Sequence, residues 1–178
     1  MRIVLEDGYL RRGGNGAAGN VGHIRVPGHD DVICHCENIG CIEAVASMHT
    51  VMQKLSQTSG RPIRDAADLA DSLTMGNHDA VRLIRDAARE IGEVITMQVH
   101  AFNPAAIVLG GSMARISDDL LAAVRAVDFE RALPFGTRSL VIESSIPGEY
   151  TGVAGSAILG VENTLSLSGI TRLMRVKF

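Results

Sequence analysis

Three cysteines and one histidine in the first quarter of the chain form a set of side chains able to bind a metal ion. Cys34, Cys36 and Cys41 are all the cysteines of the 178-residue sequence, and His23 lies upstream of them. One imidazole and three thiolates make up a donor set that is typical of closed structural zinc sites. Zinc bound by such a set contributes directly to folding. The pattern therefore predicts a structural Zn²⁺ ion in a loop over residues 23–41.

The identity of the fourth ligand is left open by spacing alone. His29 and His35 lie in the same stretch and could in principle replace His23. His35 stands between two cysteine ligands, which makes its own reach to the same ion awkward. The alternative without a metal is three buried cysteines with no common role. If His23 is a ligand, the ion joins the preceding segment to the cysteine loop.

The elements next to this loop must bring His23 to the cysteines. Apolar runs on both sides of Asp7–Gly8 predict a β-hairpin, and residues 23–27 (HIRVP) predict a short strand. Apolar residues at helical spacing then predict one helix from Ile42 to Leu55, which ends before Gly60. The loop is thus expected between a strand and a helix.

The rest of the sequence is predicted to alternate helices and strands. A long helix is expected after a cap at Asn77 or Asp79, and it should stop before Asn103. The wholly apolar run 105–109 (AAIVL) is typical of a strand buried on both faces. Further helices and strands are predicted at 63–73 (helix), 116–127 (helix), 139–145 (strand) and 151–165 (a helix of small residues). This order predicts a single α/β domain over residues 1–178.

Composition narrows the class of protein. The net charge of −3 gives no bulk electrostatic case for nucleic-acid binding. No apolar run approaches the roughly 20 residues that a membrane span needs. Glu6 and Asp7 stand where a signal peptide requires apolar residues. We therefore expect a cytoplasmic protein with no membrane partner.

The stretch that contains the cysteines, residues 14–43, also resembles the signature of the ROK family of bacterial repressors and sugar kinases. The residues are GNGAAGNVGHIRV followed by CHCENIGCIE, with ten residues between His23 and Cys34, one between Cys34 and Cys36, and four between Cys36 and Cys41. The runs NPAAIVLGGS and YTGVAGSAILG are similar to the family's turn near the adenosine site and to its closing helix. The resemblance implies the C-terminal lobe of an actin-like (ribonuclease H-like) ATPase fold, without the N-terminal lobe or a helix-turn-helix.

The resemblance also implies a sugar site beside the zinc loop. Glu43 matches a family glutamate that hydrogen-bonds the sugar, and His23 has a second ring nitrogen that could meet a sugar hydroxyl. Asn20 replaces a family glutamate at the sugar hydroxyls, which removes a charge and adds a donor. Glu37 replaces a family glycine after the second cysteine, so a left-handed backbone there would be strained.

Nucleotide binding rests on weaker signals. Gly110, Gly111 and Ser112 follow a predicted strand and precede a helix, where exposed N–H groups suit a phosphate. Family kinases also carry an Asp-x-Gly-Gly-Thr phosphate loop and a catalytic aspartate in an Asn-Asp pair, and neither motif occurs in this sequence. The sequence therefore predicts no catalytic residue, and ATP with Mg²⁺ only if the protein is a kinase.

These expectations favour a zinc-containing, sugar-sensing or assembly module of a ROK-type transcriptional regulator, without activity as an isolated chain. The alternative is the C-terminal part of a ROK sugar kinase acting on a hexose or an N-acetylhexosamine, and a gene remnant without function is a third. The expected partners are a sugar or sugar phosphate and a second copy of the chain, with no direct nucleic-acid contact. Open strand edges at Ile3–Leu5 and Ile107–Leu109 are the reason to expect a homodimer.

Overall fold

Helices and a parallel pair of strands make up the part of the chain that the structure describes. A computed structural model describes residues 10–131, 133, 137–145 and 150–175. The chain divides into two units, Met1–Ser144 and Ser145–Phe178. The predicted α/β class is confirmed. The hairpin predicted at Asp7–Gly8 and the edge Ile3–Leu5 lie outside the described residues.

The described elements follow one another with short connections. In the first unit they are a 3-10 helix (Val21–His23), α1 (Ile42–Ala46), α2 (Met48–Ser59), α3 (Ala66–Thr74), α4 (His78–Phe102), β1 (Ala106–Leu109), α5 (Ser112–Ile116), α6 (Asp118–Arg131) and β2 (Val141–Ser144). The second unit holds α7 (Thr151–Leu165) and α8 (Leu167–Arg175).

The run predicted as one helix from Ile42 is divided in two by Ser47. Ser47 has an extended backbone, with φ −70° and ψ 159°, and its side chain accepts a hydrogen bond from the Thr50 N–H at 3.2 Å. A serine in this role caps a new helix instead of continuing the old one. The prediction of a single helix was therefore wrong, although its end at Gly60, in the left-handed region with φ 67°, is confirmed.

Helix α4 is the central helix of the first unit. It begins after Asn77, whose side chain accepts from the Ala80 N–H at 3.0 Å, so Asn77 and not Asp79 is the cap. It ends at Asn103, which adopts a left-handed backbone. Helices α1, α2, α3 and α6 all pack against it. Its buried side chains, which include Ile84 and Val94, form the centre of the core.

The crossing of α4 and α6 is close because Gly92 has no side chain. A Cβ atom at Gly92 would lie 2.7 Å from the Cβ of Val127, which is closer than two such atoms can approach. Ion pairs flank the contact, from Arg85 to Asp119 at 3.0 Å and from Arg131 to Glu93 at 2.8 Å. The backbone of α4 at Gly92 therefore contacts the Val127 side chain of α6 directly, with no space for water between them.

Strand β1 pairs in parallel with β2, with Ala106 opposite Val141 and Leu109 opposite Ser144. The prediction that β1 is buried on both faces was wrong, because Leu109 is buried but Val108 is 56% exposed. Among the described residues β1 has one hydrogen-bonded neighbour, so its apolar side chains are only partly covered. On β2, the Ile142 carbonyl accepts from the Nε of Arg125 at 2.9 Å, which joins α6 to the strand.

The second unit is a pair of helices with exposed apolar side chains. The predicted small-residue helix is confirmed as α7, and the tail that follows forms α8. Exposed apolar side chains on this pair are Val153, Ile158, Val161, Leu165, Leu167, Ile170, Leu173 and Met174. Within the described part of the chain, no helix has both the length and the apolar character needed to cross a membrane.

Candidate metal centre

A tight turn at residues 34–38 carries two of the three cysteines. Ile33 and Ile39 form an antiparallel bridge, and between them the Cys34 N–H donates to the Asn38 carbonyl at 2.8 Å. The Glu37 N–H donates to the Cys34 carbonyl at 2.9 Å, and Glu37 has φ 68°. This is a three-residue hairpin loop that closes in the left-handed region, a position where glycine is favoured. The strain expected at Glu37 is therefore present.

The third cysteine and the histidine meet through a second set of backbone contacts. Arg25 and Cys41 form an antiparallel bridge, supported by the Ile42 N–H donating to the Ile24 carbonyl at 2.9 Å. His23 ends the 3-10 helix, where the Ile24 N–H donates to the Val21 carbonyl at 3.1 Å. The strand predicted over residues 23–27 is thus reduced to one bridge residue, since the 3-10 turn ends it on one side and Pro27 has no N–H on the other.

The four predicted ligands come together in the folded chain. The Nδ1 of His23 lies 3.7 Å from the Cys34 sulfur, and the sulfurs of Cys36 and Cys41 are 3.7 Å apart. One ligand atom from each residue lies within 4.8 Å of all the others. Tetrahedral zinc with Zn–S of about 2.3 Å and Zn–N of about 2.0 Å requires S–S and S–N separations of about 3.5–3.8 Å. The donor set and these two distances fit such an ion.

The three histidines of this region lie in different surroundings. His23 belongs to the cluster, whereas His29 hydrogen-bonds through Nε2 to Glu90 on α4 at 2.9 Å. His35 is exposed on the turn and is not part of the group. The His29–Glu90 contact is a link between the cysteine loop and the central helix that sequence reasoning did not find. No local signal could have found it, because the two residues lie 61 positions apart.

The pKa values of Cys36 and Cys41 are shifted in opposite directions. A hydrogen bond from the Asn38 backbone lowers the pKa of Cys36 to about 6, and the Asn38 side chain also donates to this sulfur at 3.3 Å. Burial, together with the neighbouring thiols, raises the pKa of Cys41 to about 12. All three cysteines are free. At neutral pH the Cys36 sulfur is therefore ready to bind a cation, while the buried Cys41 must first release its proton.

The residues predicted to face a sugar lie beside this cluster. Asn20 precedes the 3-10 helix, His23 ends it, and Glu43 is in the first turn of α1. A Cβ at Gly22 would lie 3.3 Å from the Oε2 of Glu43, so this carboxylate rests against the 3-10 helix. All three side chains are exposed. They offer a carboxylate, an amide and the Nε2 of the imidazole, which are groups that hydrogen-bond hydroxyls.

The predicted glycine turn lies between β1 and α5. Gly111 has φ 100°, and the space where its Cβ would stand is open to 4 Å. Ser112 begins α5, which has only five residues. The turn that was expected at Gly110–Ser112 is therefore present, and its use by a nucleotide stays a prediction.

Comparison with known proteins finds similarity both to transcriptional repressors and to glucokinases. The family model described as ROK family matches residues 3–162. The chain is 25% identical over 164 residues to the DNA-binding transcriptional repressor Mlc of Escherichia coli (strain K12), covering 88% of this chain and 40% of that protein. It is 27% identical over 168 residues to a glucokinase of Thermotoga maritima, covering 86% of this chain and 52% of that protein.

A solved structure shares the fold. The ROK family glucokinase from Streptomyces griseus, in complex with glucose and AMPPNP, superimposes with a TM-score of 0.69 at 27% identity. The match covers 85% of this chain and 54% of that one. The chain thus spans about half the length, or less, of the proteins that it resembles in these comparisons.

Proposed function

Because this chain belongs to the ROK family, we propose that it is the zinc-binding, sugar-sensing C-terminal lobe of a ROK-type transcriptional regulator. The observation that carries the proposal is the group of His23 and three cysteines, which lies next to the exposed carboxylate of Glu43. The lobe senses a ligand and takes part in assembly, and it has no catalytic activity as an isolated chain.

The role of zinc is structural. Thiolates and an imidazole are the ligands that Zn²⁺ prefers, and four protein ligands leave no open position for catalysis. The ion joins the segment at His23 to the hairpin turn, two pieces of chain that are otherwise connected by few backbone hydrogen bonds. It thereby fixes the orientation of the His23 ring, since Nδ1 is the nitrogen that lies at the cluster.

The sugar contacts follow from that orientation. With Nδ1 at the metal, Nε2 of His23 keeps its proton and donates to a hydroxyl, while the Glu43 carboxylate accepts from another. Asn20 supplies either function, with no charge. The resemblance to the family supports this assignment, because it implies that Asn20, His23 and Glu43 face sugar hydroxyls. The ligand class we propose is a hexose, an N-acetylhexosamine or a phosphate of either.

The alternative function is the C-terminal part of a ROK sugar kinase that transfers phosphate from ATP with Mg²⁺. The glucokinases among the relatives and the Gly110–Ser112 turn favour it. Phosphoryl transfer needs a base at the acceptor hydroxyl and a cradle for the phosphates. This sequence contains neither the Asn-Asp pair nor the phosphate loop of the kinases. Sugar-dependent formation of ADP by the purified chain would establish the kinase and reject the sensor.

The zinc content of the purified chain tests whether His23 and the three cysteines bind a metal ion. The purified chain should hold about one equivalent of zinc, and Cys36→Ser should lose most of it and unfold more readily, since one lost ligand removes most of the affinity of a four-ligand site. His35→Asn is the matched control, because it changes the neighbouring residue outside the cluster. Equal zinc content and stability in Cys36→Ser and the control would reject the metal site.

Sugar binding requires its own experiment. Calorimetry with a panel of hexoses and N-acetylhexosamines should show weak binding that Glu43→Gln abolishes and Glu130→Gln, an exposed change on α6, leaves intact. Weak binding is expected because the chain covers about half of its relatives. Tight binding that is unaffected by Glu43→Gln would place the sugar elsewhere on the chain.

We also propose that the lobe self-associates. Apolar side chains such as Val153 and Leu167 are exposed on α7 and α8, and Val108 is exposed on β1. Exposed apolar surface of this extent is typical of interaction surfaces. Sedimentation equilibrium should show a dimer, and a monomer of 18.9 kDa at every concentration would contradict this. No DNA contact is assigned to this chain, whose net charge is −3.

A further inference from the structure

Asp128 is a carboxylate enclosed in the contact between α4 and α6. Its side chain is 1% exposed, and neither Oδ1 nor Oδ2 has a hydrogen-bond partner. An ionised carboxylate without a partner is among the most costly groups to bury in a folded protein. The neutral acid is far less costly, because it carries no charge to desolvate.

The packing around Asp128 explains why water does not solvate it. Asp128 follows Val127, the residue that packs directly on Gly92 at the close crossing of the two helices. Thr96, one turn beyond Gly92 on α4, donates its hydroxyl proton to the Gly92 carbonyl at 2.9 Å, and this hydroxyl beside the carboxylate offsets only part of the effect of burial on the pKa of Asp128. The crossing thus brings Asp128 into the interface, where neither carboxylate oxygen makes a hydrogen bond of normal geometry.

The charged groups near this interface do not neutralise Asp128. His100 on α4 is the one whose positive charge, when the ring is protonated, favours the carboxylate. This effect is smaller than that of burial, which raises the pKa of Asp128. Other charged side chains on the elements packed against α6 are engaged elsewhere or exposed. On α4 they are Glu93 with Arg131, Arg85 with Asp119, Arg82 with Asp79 and Asp86, Arg89 with Asp86, and Glu90 with His29; on α5 and β2 they are Arg115 with Ser112 and the exposed Glu143.

We propose that Asp128 is held as a neutral carboxylic acid at neutral pH and that its ionisation loosens the contact between α4 and α6. The interface is then a pH-sensitive element in the first unit, because α6 leads to β2 and is joined to it through Arg125. This role concerns the helix pair and is independent of the metal and sugar sites proposed above.

The direction of the pH dependence follows from proton linkage. In the unfolded chain Asp128 ionises near pH 4, whereas in the native chain it stays protonated to a higher pH. The native state therefore binds one more proton in this window. Stability is greatest at the acid end, falls as the pH rises toward the native pKa, and is constant above it. Within the window, the folding equilibrium constant falls up to about tenfold for each pH unit.

The test compares urea unfolding of the zinc-loaded wild type, Asp128→Asn and Asp71→Asn from pH 6 to pH 9. An asparagine side chain has the shape of the neutral acid and cannot ionise, while Asp71 is exposed on α3 and serves as the control. The folding constant of Asp128→Asn, divided by that of the wild type, should exceed one and should reach its plateau once native Asp128 ionises. The ratio for Asp71→Asn should stay near one. Changes at the metal site cancel in both ratios.

Two further measurements keep the proposal open to rejection if Asp128→Asn does not fold. The wild type should show the infrared carbonyl stretch of a protonated carboxylic acid at pH 6, where ordinary carboxyls are ionised. In His100→Asn this band should persist to higher pH, because the charge that favours ionisation is gone. No acid band at pH 6, or a wild type that is as stable as Asp128→Asn at every pH, would overturn the proposal.

Discussion

Replacing Glu37 with glycine should stabilise the zinc-loaded chain. Glu37 closes the turn between Cys34 and Asn38 with φ 68°, a conformation in which a Cβ atom crowds the following carbonyl. Glycine has no such atom, and it would keep the hydrogen bond from the N–H of position 37 to the Cys34 carbonyl, which is 2.9 Å long. The substitution therefore removes strain without removing the contact that forms the turn.

The expected stabilisation by Glu37→Gly is the difference between a free-energy gain in the folded state and a free-energy loss through the unfolded state. A left-handed backbone costs an L-residue about 1–2 kcal/mol, and glycine avoids most of this cost. Glycine also makes the unfolded chain more flexible, which lowers the free energy of unfolding by about 0.4–1 kcal/mol. The net stabilisation should be about 0.5–1 kcal/mol. For a protein of this size, that corresponds to a rise in Tm of about 1–4 °C.

Thermal unfolding monitored by circular dichroism, with zinc in excess, measures this shift. Glu37→Ala is the matched control, because it deletes the carboxylate and keeps the Cβ atom that causes the strain. Glu37→Ala should unfold at the wild-type temperature, and Glu37→Gly above it. The zinc stoichiometry should be equal in all three proteins, since Glu37 does not belong to the ligand group.

The reasoning would be refuted if Glu37→Gly unfolded at or below the temperature of Glu37→Ala. That result would mean that the backbone at position 37 is not strained in the folded protein. A gain of the same size in both variants would assign the effect to the negative charge beside the thiolates instead of to the backbone.

Three other predictions follow from the packing, the caps and the thiols. Gly92→Ala should lower the free energy of unfolding in urea by about 1–3 kcal/mol, because a methyl group cannot fit at the helix crossing. The control Gly155→Ala on α7 meets open space, so it should leave stability unchanged or raise it by up to about 1 kcal/mol. Equal effects of the two substitutions would contradict the close crossing. Asp65→Ala should cost about 1 kcal/mol, since its carboxylate accepts two N–H groups at the start of α3, and an unchanged urea midpoint would contradict this cap. In the metal-free chain at pH 7, iodoacetamide should modify exposed Cys36 first, because its pKa is about 6, and buried Cys41 last, because its pKa is about 12; peptide mapping that shows Cys41 labelled first would contradict the order.

Features that depend on neighbouring residues were predicted from the sequence. The end of α4 before Asn103 is confirmed, and of the two caps considered, Asn77 and Asp79, the structure shows Asn77; both features are formed by hydrogen bonds within four residues. The cap at Ser47 is equally local, but it was missed. The strain at Glu37 was expected from the resemblance to the ROK signature, which has glycine at this position, and the positive φ of Glu37 agrees with it. The grouping of the three cysteines was predicted from residue type and spacing, while the choice of His23 over His29 and His35 came from the resemblance to the ROK signature; all four residues lie together in the structure.

Features that depend on contacts between distant segments were decided by the tertiary structure. The exposure of Val108 and the pairing of His29 with Glu90 were not predicted. Asp128 is the clearest case. A carboxylate on a helix is solvated unless another helix covers it, and α4 covers this one because Gly92 lets the two helices approach. Burial is a property of the packed pair, so neither helix alone determines the proton affinity of Asp128.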